Sequence, residues 1–396
     1  MKAFRDFLRA AFFWVADRIV VIGRRATGAG VVVVRLDAIG DFVLWLDCAR
    51  RLREHYPGQR ITLVANARWA ETARNLPYWD EVWPVTLGTL GSMRHPAGRW
   101  RLLRKLRRQG FDRAIQPVYS RTFLGGDSMI RATGAAVRIG SAGDCSNILP
   151  RWKKVADRWY TRLLPVAESP MTELERGAEF MRALGIADYL PRVASVPVMA
   201  RLREGLRLEQ PYFIVFPGAL HDGKRWPIDR FVGLIEQLHA RTGWVPVVCG
   251  GPDEIGLCGD VAQRASTRVV NLAGETSLVE LTEVMRAARL LVGNDSAAVH
   301  IAAAVATQSV CILGGGHFGR FLPYAASVAG LAPAVVHRQM PCFNCNWQCT
   351  QPHAPGGAYP CISSIPMEAV VEASLREIQL AAAGQPVNLT IGSSEK

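Results

Sequence analysis

The hydrophobic positions of the chain follow two periods that alternate along most of its length. Short runs rich in β-branched residues, the first at residues 31–34, are typical of strands buried on both faces. Between these runs lie longer stretches whose apolar residues recur every three or four positions, as in an amphipathic helix. The first of these stripes consists of Phe42, Leu46, Ala49 and Leu52. The alternation predicts parallel sheets covered by helices.

Both halves of the chain carry the pattern. The predicted strands are 31–34, 60–64, 81–85, 111–117, 212–216, 245–249, 268–272, 290–292 and 309–313. The predicted helices are 42–52, 67–75, 94–108, 172–184, 228–241, 253–264, 278–287, 296–305 and 367–382. Such regular alternation favours a doubly wound α/β sheet. The proline-containing segment 191–210 is the predicted linker between two domains.

Length and composition agree with two soluble domains. A chain of 396 residues exceeds what one hydrophobic core supports, and 49% hydrophobic with 20% charged residues is typical of a globular protein. The net charge of +13 predicts a polyanionic partner. We do not expect that partner to be nucleic acid, because no recognised binding motif accompanies the basic stretches.

The excess of positive charge lies mainly in the first half. Residues 94–108 hold seven Lys and Arg and no acidic residue, and residues 151–162 hold five against one Asp. These stretches are either solvated helix faces or a basic surface for a phosphorylated or carboxylated acceptor or an anionic membrane. The sequence leaves both interpretations open.

The amino-terminal residues form a further amphipathic element. The apolar stretch 10–22 is interrupted by Asp17 and Arg18, so it is too short and too charged to cross a bilayer, and no signal-peptide cleavage site follows it. Its apolar stripe is Phe4, Leu8, Phe12, Val15 and Ile19, with Arg5, Arg9 and Arg18 nearby. The stripe predicts either a helix packed on its own domain or an interfacial membrane helix.

The nine cysteines fit a reducing compartment rather than a secreted disulfide scaffold, and this favours the cytoplasm. Four of them, Cys342, Cys345, Cys349 and Cys361, lie within twenty residues. Four thiolates can bind zinc or iron, although their spacing is not that of a standard zinc ribbon. A structural metal and reduced, packed cysteines are both left open.

Candidate chemistry lies where predicted strands end, since ligands of open parallel sheets bind there. Asp41 follows the first strand and a Gly-containing turn, where it can cap a helix or face a site. The turn has neither the G-x-G-x-x-G pattern nor a Walker A lysine, so neither dinucleotide nor P-loop binding is expected.

Three loops of the second half offer ligand contacts. Lys224 and Arg225 could bind phosphates, Glu254 or Asp253 could accept hydrogen bonds from sugar hydroxyls, and a helix begins beside Asp295 and Ser296 with His300 one turn later. Each loop also has a purely structural interpretation. Lys224 and Arg225 could belong to a solvated surface turn, and the carboxylate after G-G-P could be a charge at a helix start. Asp295 and Ser296 could be helix caps, and His300 a core histidine.

The order and spacing of these motifs carry a family resemblance. R-x-x-x-x-G-D, P-G-A-x-x-x-x-K-R-W-P, G-G-P-x-E, N-L-A-G-x-T-S-L and N-D-S-x-x-x-H succeed one another across residues 30–320. The chain therefore resembles glycosyltransferase family 9, the ADP-heptose:lipopolysaccharide heptosyltransferases. The resemblance implies an α/β GT-B fold with two Rossmann-like doubly wound domains facing a central cleft.

The expected domain plan follows from the resemblance and the linker. It comprises an amphipathic extension (1–28), an acceptor-binding domain (29–195), a nucleotide-sugar donor domain (205–340), a Cys-rich loop (341–365) and a carboxy-terminal helix (366–383) that crosses back to the first domain.

The resemblance also implies residue roles. Asp41 is the expected general base, Lys224 the contact of the donor phosphates, and Glu254 the contact of the ribose, with Asp253 as the alternative. Asp295 would contact the donor sugar, with Ser296 and His300 near the diphosphate. No Asp-x-Asp pair is present, so we expect transfer that requires no metal and no cofactor. The resemblance implies that the transfer inverts the configuration at the anomeric carbon.

The expected function is transfer of heptose or a related sugar from ADP-heptose or a similar nucleotide sugar to a lipopolysaccharide-core acceptor in a Gram-negative bacterium. The expected partners are the donor, an anionic lipid-linked saccharide and the cytoplasmic face of the inner membrane, but not nucleic acid. The alternatives are a nucleotide-sugar epimerase or hydrolase on the same fold, or a non-catalytic sugar-nucleotide-binding protein.

Overall fold

The computed structural model describes residues 2–22, 28–90, 96–383 and 390–392, and side-chain environments for all of these except 2–5, 89–90 and 390–392. The expected contributions of Phe4, Arg5 and Arg94 therefore lie outside the described side chains. The chain forms two compact units. The first comprises Met1–Phe42, Cys48–Ser169 and Arg176–Tyr189, and the second comprises Val43–Asp47, Pro170–Glu175 and Leu190–Lys396.

The first unit is built on a parallel sheet of six strands in the order β3-β2-β1-β4-β5-β6. Its strands are β1 (Val31–Arg35), β2 (Ile61–Asn66), β3 (Glu81–Val85), β4 (Arg113–Gln116), β5 (Val137–Ser141) and β6 (Arg162–Leu164). In register, Val31 lies opposite Ile61 of β2 and Arg113 of β4. This is the Rossmann strand order, whose connections reverse direction between β1 and β4.

The helices up to residue 189 precede, connect or follow these strands. They are α1 (Lys2–Ala16), α2 (Arg18–Ile22), α3 (Ile39–His55), α4 (Ala70–Arg74), α5 (Leu87–Leu90), α6 (Pro96–Gln109), α7 (Ser128–Thr133), α8 (Pro150–Asp157) and α9 (Glu173–Leu184), with a π-helical turn at Phe123–Asp127.

The valines of β1 form the centre of the first core. Every residue of this strand is buried, as the continuous β-branched run predicts. Leu103 and Leu106 of α6 and Met129 of α7 pack in the same apolar cluster as Val32. The prediction of a strand buried on both faces is confirmed.

The amino-terminal extension folds against the first unit. Ala10 of α1 packs in a cluster with Phe123 and Trp152. Asp17, between α1 and α2, is buried and pairs with the guanidinium of Arg99 on α6, with Arg99 Nε 3.1 Å from Asp17 Oδ1. One face of the extension is thus packed on its own domain, which was one of the two predictions for this element. In the parts of the chain that the structure describes, no helix has the length and hydrophobicity needed to cross a membrane.

The second unit contains a parallel sheet of seven strands in the order β13-β12-β11-β10-β7-β8-β9. Its strands are β7 (Tyr212–Phe216), β8 (Val245–Val248), β9 (Val270–Asn271), β10 (Leu290–Asn294), β11 (Ser309–Ile312), β12 (Ala334–His337) and β13 (Thr390–Gly392). Counted from β7, this is again the Rossmann order, so the connections reverse between β7 and β10. The predicted pair of doubly wound parallel sheets is confirmed.

The helices of the second unit follow the predicted positions closely. They are α10 (Ile228–Thr242), α11 (Ile255–Arg264), α12 (Leu278–Ala287), α13 (Ala297–Ala304), α14 (Pro360–Ser363) and α15 (Met367–Ala382), with 3₁₀ turns at Glu204–Leu206, Asp222–Lys224 and Pro252–Glu254.

The carboxy-terminal helix α15 packs on the second sheet. Its buried residues Val370, Val371 and Ala373 belong to the core that includes Leu234 of α10 and Ile312 of β11. The expectation that this helix crosses back to the first domain stays a prediction. Its apolar face is already buried against α10 and the strands of its own unit.

Candidate functional site

The reversal point of the second sheet brings two predicted residues together. β7 and β10 are neighbours there, and the loops that follow them open a crevice of the kind that binds ligands in such sheets. Lys224 lies in the loop after β7, and Asp295 follows β10 directly. Lys224 Nζ lies 3.0 Å from Asp295 Oδ2, and only 13% and 9% of the two side chains are exposed.

Asn294 fixes the loop that carries Lys224. Its side-chain amide donates to the carbonyl of Pro217 at 2.7 Å, and its Oδ1 accepts from the backbone N–H of Trp226 at 3.1 Å. The indole N–H of Trp226 in turn donates to the carbonyl of Ile365 at 3.0 Å. Both ends of the loop are therefore tied to β10. The sequence analysis did not assign Asn294 a role, although it precedes Asp295 in the N-D-S motif.

Trp347 is a second residue that the sequence analysis missed. Its ring centroid lies 4.4 Å from Lys224 Nζ, so the ammonium lies between an aromatic face and a carboxylate. The only sequence indication was a tryptophan within the Cys-rich loop. The arrangement holds a largely desolvated cation at the crevice before any ligand arrives.

The amino end of α13 adds further donors. Ser296 is the N-cap residue, but its side chain makes no cap hydrogen bond, and Oγ has no hydrogen-bond partner among the described residues. The first turn of this helix contains no acidic residue. Its positive dipole end and the Ser296 hydroxyl can therefore both serve an anion.

His300 lies beneath this pair. It is buried, and its Nδ1 is 2.7 Å from the hydroxyl of Tyr324, with the two rings stacked 5.8 Å apart. Burial lowers the pKa of His300 to about 4, while Asp295 raises it and Lys224 lowers it by smaller amounts. The imidazole is consequently neutral at pH 7. The structure brings His300 together with Lys224 and Asp295, and Tyr324 is an additional partner that the sequence analysis missed.

Glu254 lies at the end of β8, the strand next to β7. Its carboxylate accepts a hydrogen bond from the backbone N–H of Gly251 at 2.8 Å. A Cβ atom at Gly218 would lie 1.9 Å from Glu254 Oε1, so glycine is required for the carboxylate to rest against the loop after β7. Asp253 is exposed. The geometry therefore favours Glu254 over Asp253 as the residue directed to the crevice.

Arg225, next to Lys224, is directed to its own loop. It pairs with Asp222 at 2.6 Å and donates to the carbonyl of Ala219 at 3.3 Å. These contacts shape the turn after β7. These contacts distinguish Arg225 from Lys224, which pairs with Asp295 after β10.

Asp41 lies in the first turn of α3, after β1 at the reversal point of the first sheet. The buried guanidinium of Arg35 donates to the carbonyls of Asp41 at 3.0 Å and Pro117 at 2.9 Å. It also forms a 2.9 Å ion pair with Asp37. The arginine of the R-x-x-x-x-G-D motif therefore fixes the turn that presents Asp41. The sequence analysis gave Arg35 no separate role.

The four clustered cysteines are free thiols. Burial raises the pKa of Cys361, and the nearby thiols of Cys342, Cys345 and Cys349 raise it further by smaller amounts. Among the residues that the structure describes, no three His, Cys, Asp or Glu side chains are arranged to hold a metal ion. Cys361 is buried, whereas Cys342, Cys345 and Cys349 are partly exposed. A structural metal and reduced, packed cysteines both stay predictions.

Comparisons with known proteins find similar sequences. The model of glycosyltransferase family 9 (heptosyltransferase) matches residues 99–350. The chain is 24% identical over 284 residues to lipopolysaccharide heptosyltransferase 3 of Escherichia coli strain K12, covering 69% of this chain and 79% of that protein.

Solved structures show the same fold. A glycosyl transferase of family 9 from Veillonella parvula superimposes with a TM-score of 0.68 at 18% identity, covering 90% of this chain and 99% of that one. E. coli heptosyltransferase WaaC with ADP gives a TM-score of 0.65 at 19% identity, covering 88% and 99%. The expected GT-B fold of two Rossmann-like domains is confirmed. Since the family model spans more than half of the chain, the protein belongs to glycosyltransferase family 9.

Proposed function

We propose that this protein transfers heptose from ADP-heptose to a saccharide of the lipopolysaccharide core. The observation that carries the proposal is the Lys224–Asp295 pair at the reversal point of the second sheet, beside the amino end of α13. This arrangement suits a sugar diphosphate. A relative named lipopolysaccharide heptosyltransferase 3 and a similar structure described as WaaC with ADP support the choice of donor and acceptor.

The leaving group is stabilised without a metal in this proposal. Lys224, the amides at the start of α13 and the Ser296 hydroxyl offset the charge that develops on ADP as the bond to the sugar breaks. Lys224 exchanges Asp295 for a phosphate oxygen, which releases the Asp295 carboxylate to accept hydrogen bonds from sugar hydroxyls. His300, which is neutral at pH 7, supports this end of the diphosphate, and Glu254 binds the ribose.

Asp41 is the general base of the proposal. An acceptor hydroxyl attacks the anomeric carbon opposite ADP, so its oxygen forms the new glycosidic bond while the old bond to the diphosphate breaks. The hydroxyl proton passes to Asp41, and the configuration at the anomeric carbon inverts. Arg35 holds the backbone of Asp41 at 3.0 Å, and this keeps the carboxylate in place for proton transfer.

The acceptor in this proposal is anionic and lipid-linked. A net charge of +13 favours a phosphorylated or carboxylated saccharide. A lipid-linked substrate places the reaction at the cytoplasmic face of the inner membrane, where the protein would bind peripherally.

A transfer assay tests the proposal. Purified protein is incubated with ADP-heptose and a heptose-free lipopolysaccharide precursor, and the glycosylated product and ADP are quantified together. We expect product only when both substrates are present. Donor consumption without acceptor would instead indicate an epimerase or hydrolase, and donor binding without turnover would indicate a non-catalytic binding protein.

Donor selectivity is tested separately by thermal shift with ADP-, GDP-, UDP- and TDP-sugars. A ligand that binds only the native state raises the melting temperature. We expect the largest shift with ADP-heptose. A larger shift with another nucleotide sugar would contradict the assignment of the donor while leaving the family membership intact.

A further inference from the structure

The amino-terminal helices α1 and α2 carry two apolar faces. The inner face includes Ala10, Phe13 and Val20, which are buried in the first unit. The outer face carries a separate row of apolar side chains that are 42% to 83% exposed: Leu8, Phe12, Val15, Ile19 and Ile22.

The outer row is continuous because helical hydrogen bonding continues across Asp17. The N–H of Asp17 donates to Phe13 at 2.9 Å, and the N–H of Val21 donates to the carbonyl of Asp17 at 3.2 Å. Residues spaced alternately by four and three therefore line one side of both helices. The buried inner face holds the extension in place, and from the outer row the ring of Phe12 contacts that of Phe13 edge-on, with centroids 5.1 Å apart. A contiguous apolar row of this kind marks an interaction surface.

Positive charge adjoins this surface. α6 is anchored to the extension by the buried Asp17–Arg99 pair, and its exposed residues Arg101, Arg104, Lys105 and Arg108 recur along one side of the helix. The helix contains no acidic residue. Arg18 is exposed on the extension itself, and Asp6 is already paired with Arg9 at 3.3 Å. A partner for this region should be apolar where it meets the row and anionic beside it.

We propose that the outer row of α1 and α2 inserts into the interfacial region of an anionic lipid bilayer, while the basic residues of α6 and Arg18 contact lipid phosphates. An apolar row flanked by cations is the arrangement of helices that lie in a membrane surface. The proposal deepens the proposed function and rests on it for its purpose, which is to hold the enzyme where a lipid-linked acceptor resides.

Vesicle flotation tests the surface. The full chain is mixed with vesicles of phosphatidylcholine alone or with phosphatidylglycerol, and we expect binding to the anionic vesicles that weakens with added salt. The triple variant Leu8→Ser, Phe12→Ser, Ile19→Ser should bind at least about tenfold more weakly. The matched control is Leu190→Ser with Val198→Ser, two residues also exposed but distant in the chain, which should bind like the wild type.

The proposal is overturned if the wild type remains unbound to anionic vesicles, or if the triple variant binds as tightly. A dimer that dissociates in the triple variant, seen by sedimentation, would assign the row to a second copy instead. Melting temperatures of all variants establish that they fold. A transfer assay with a detergent-solubilised acceptor separates the two proposals. The triple variant should retain transfer activity in this assay. A wild type without transfer activity would refute only the proposed function.

A different observation concerns the loop that carries Trp347. Asn344, Asn346 and Trp347 have φ angles of 66°, 52° and 59°, a region that bulky side chains rarely adopt. The N–H groups of Asn344 and Asn346 donate to the carbonyls of Gly315 and Gly316 at 2.7 Å and 2.9 Å. Strained backbone of this kind persists where surrounding contacts enforce it, commonly at functional sites.

Glycines make room for the indole. A Cβ atom at Gly316 would lie 2.2 Å from Trp347 Cδ2. The indole N–H donates to His317 Nδ1 at 3.2 Å, and His317 Nε2 is 2.5 Å from Asn346 Oδ1. Because Nδ1 accepts, Nε2 carries the proton and donates to the Asn346 side chain. The face of the indole is thereby turned toward Lys224.

We infer that Trp347 is a positioning residue that keeps the Lys224 ammonium at the crevice when Asp295 turns to the donor sugar. Trp347→Leu should raise the KM for ADP-heptose by roughly tenfold, since a desolvated cation–π contact of this size is lost. Trp347→Phe keeps an aromatic face and should recover most of that loss.

A cycle with Lys224→Met distinguishes positioning from folding. In the Lys224→Met background, Trp347→Leu should change KM by less than about twofold, because there is no cation left to position. A tenfold loss that persists in this background, or equal losses in Trp347→Leu and Trp347→Phe, would overturn the inference. ADP affinity by calorimetry gives the same comparison for variants that turn over too slowly.

Discussion

Replacing Lys224 by methionine removes the charge at the centre of the proposed donor site while keeping an unbranched side chain of similar length. The ammonium is almost fully buried against Asp295 at 3.0 Å and against the ring of Trp347. A preorganised donor that stabilises developing charge in such a site contributes about 3–4 kcal/mol to the transition state. We therefore expect kcat/KM for ADP-heptose to fall by about 10² to 10³.

The same substitution has a second, separable consequence for stability. Asp295 loses its cationic partner in a site where only 9% of its side chain is exposed, and breaking a buried pair costs about 3–5 kcal/mol. The double variant Lys224→Met, Asp295→Asn removes the orphaned charge. It should recover most of the stability but none of the activity, because the phosphate contact is still missing.

Steady-state kinetics with ADP-heptose and urea denaturation measure the two effects. Arg225→Met is the matched control, since Arg225 is more exposed and pairs with Asp222 in its own loop. Its kcat/KM should stay within about threefold of the wild type. The reasoning is refuted if Lys224→Met retains kcat/KM within the same limit, or if Arg225→Met loses more activity than Lys224→Met.

Three further changes test the remaining parts of the site. Asp41→Ala should abolish transfer while ADP binding by calorimetry is unchanged; unaltered turnover would exclude Asp41 as the base. Gly218→Ala places Cβ 1.9 Å from Glu254 Oε1, so the displaced carboxylate should raise the donor KM about tenfold. Gly256→Ala, which meets no atom within 4 Å, should leave this KM unchanged. The lowered pKa of His300 means that unfolded chains bind more protons between pH 6.5 and 4, so stability should fall by about 3 kcal/mol across that window. His300→Gln should flatten this part of the stability curve measured by denaturation, and an unchanged slope would contradict the assignment.

The long periodic elements could be predicted from the sequence because the spacing of their apolar residues along the chain shows which positions are buried. β1, β3, α12 and α15 lie where the apolar pattern predicts them, to within two residues. The strand β12 and the edge strand β13 could not be predicted. They have four and three residues, which is too few to establish a period, and their pairing depends on neighbours distant in the chain.

The site divides in the same way. Lys224, Glu254 and Asp295 follow predicted strands, so the parallel topology alone places them at one edge of the sheet. Trp347 could not be found by this reasoning, because it lies in a non-repetitive loop. Its indole packs against Gly316, 31 residues earlier in the chain, and contacts Lys224. The packing of α15 on the second sheet could not be predicted for a related reason, since an amphipathic helix shows which face is buried but not which sheet covers it.

The order of the strands also predicts where the nucleotide base binds. β10, β7 and β8 are consecutive in the sheet and are followed by Asp295, Lys224 and Glu254. Across the sheet, the proposed contacts of Asp295, Lys224 and Glu254 are the sugar, the diphosphate and the ribose, which is the order of these groups in the donor. Two strand spacings cover about 10 Å, which suits the span of those groups.

The base should then lie beyond Glu254, where β9 ends. Ala273 follows this strand, and its N–H is held by Asn271 Oδ1 at 3.0 Å. Ala273 itself is buried in the core of the second unit, whereas Glu275, two residues later, is exposed. We therefore expect Glu275→Phe to lower the affinity for ADP by tenfold or more while the affinity for inorganic pyrophosphate is unchanged. Calorimetry with the two ligands measures both. An equal loss of affinity for ADP and for pyrophosphate would indicate general damage to the unit. An unchanged affinity for ADP would show that the base binds elsewhere, and that the order of the strands does not predict the order of the donor groups along the sheet.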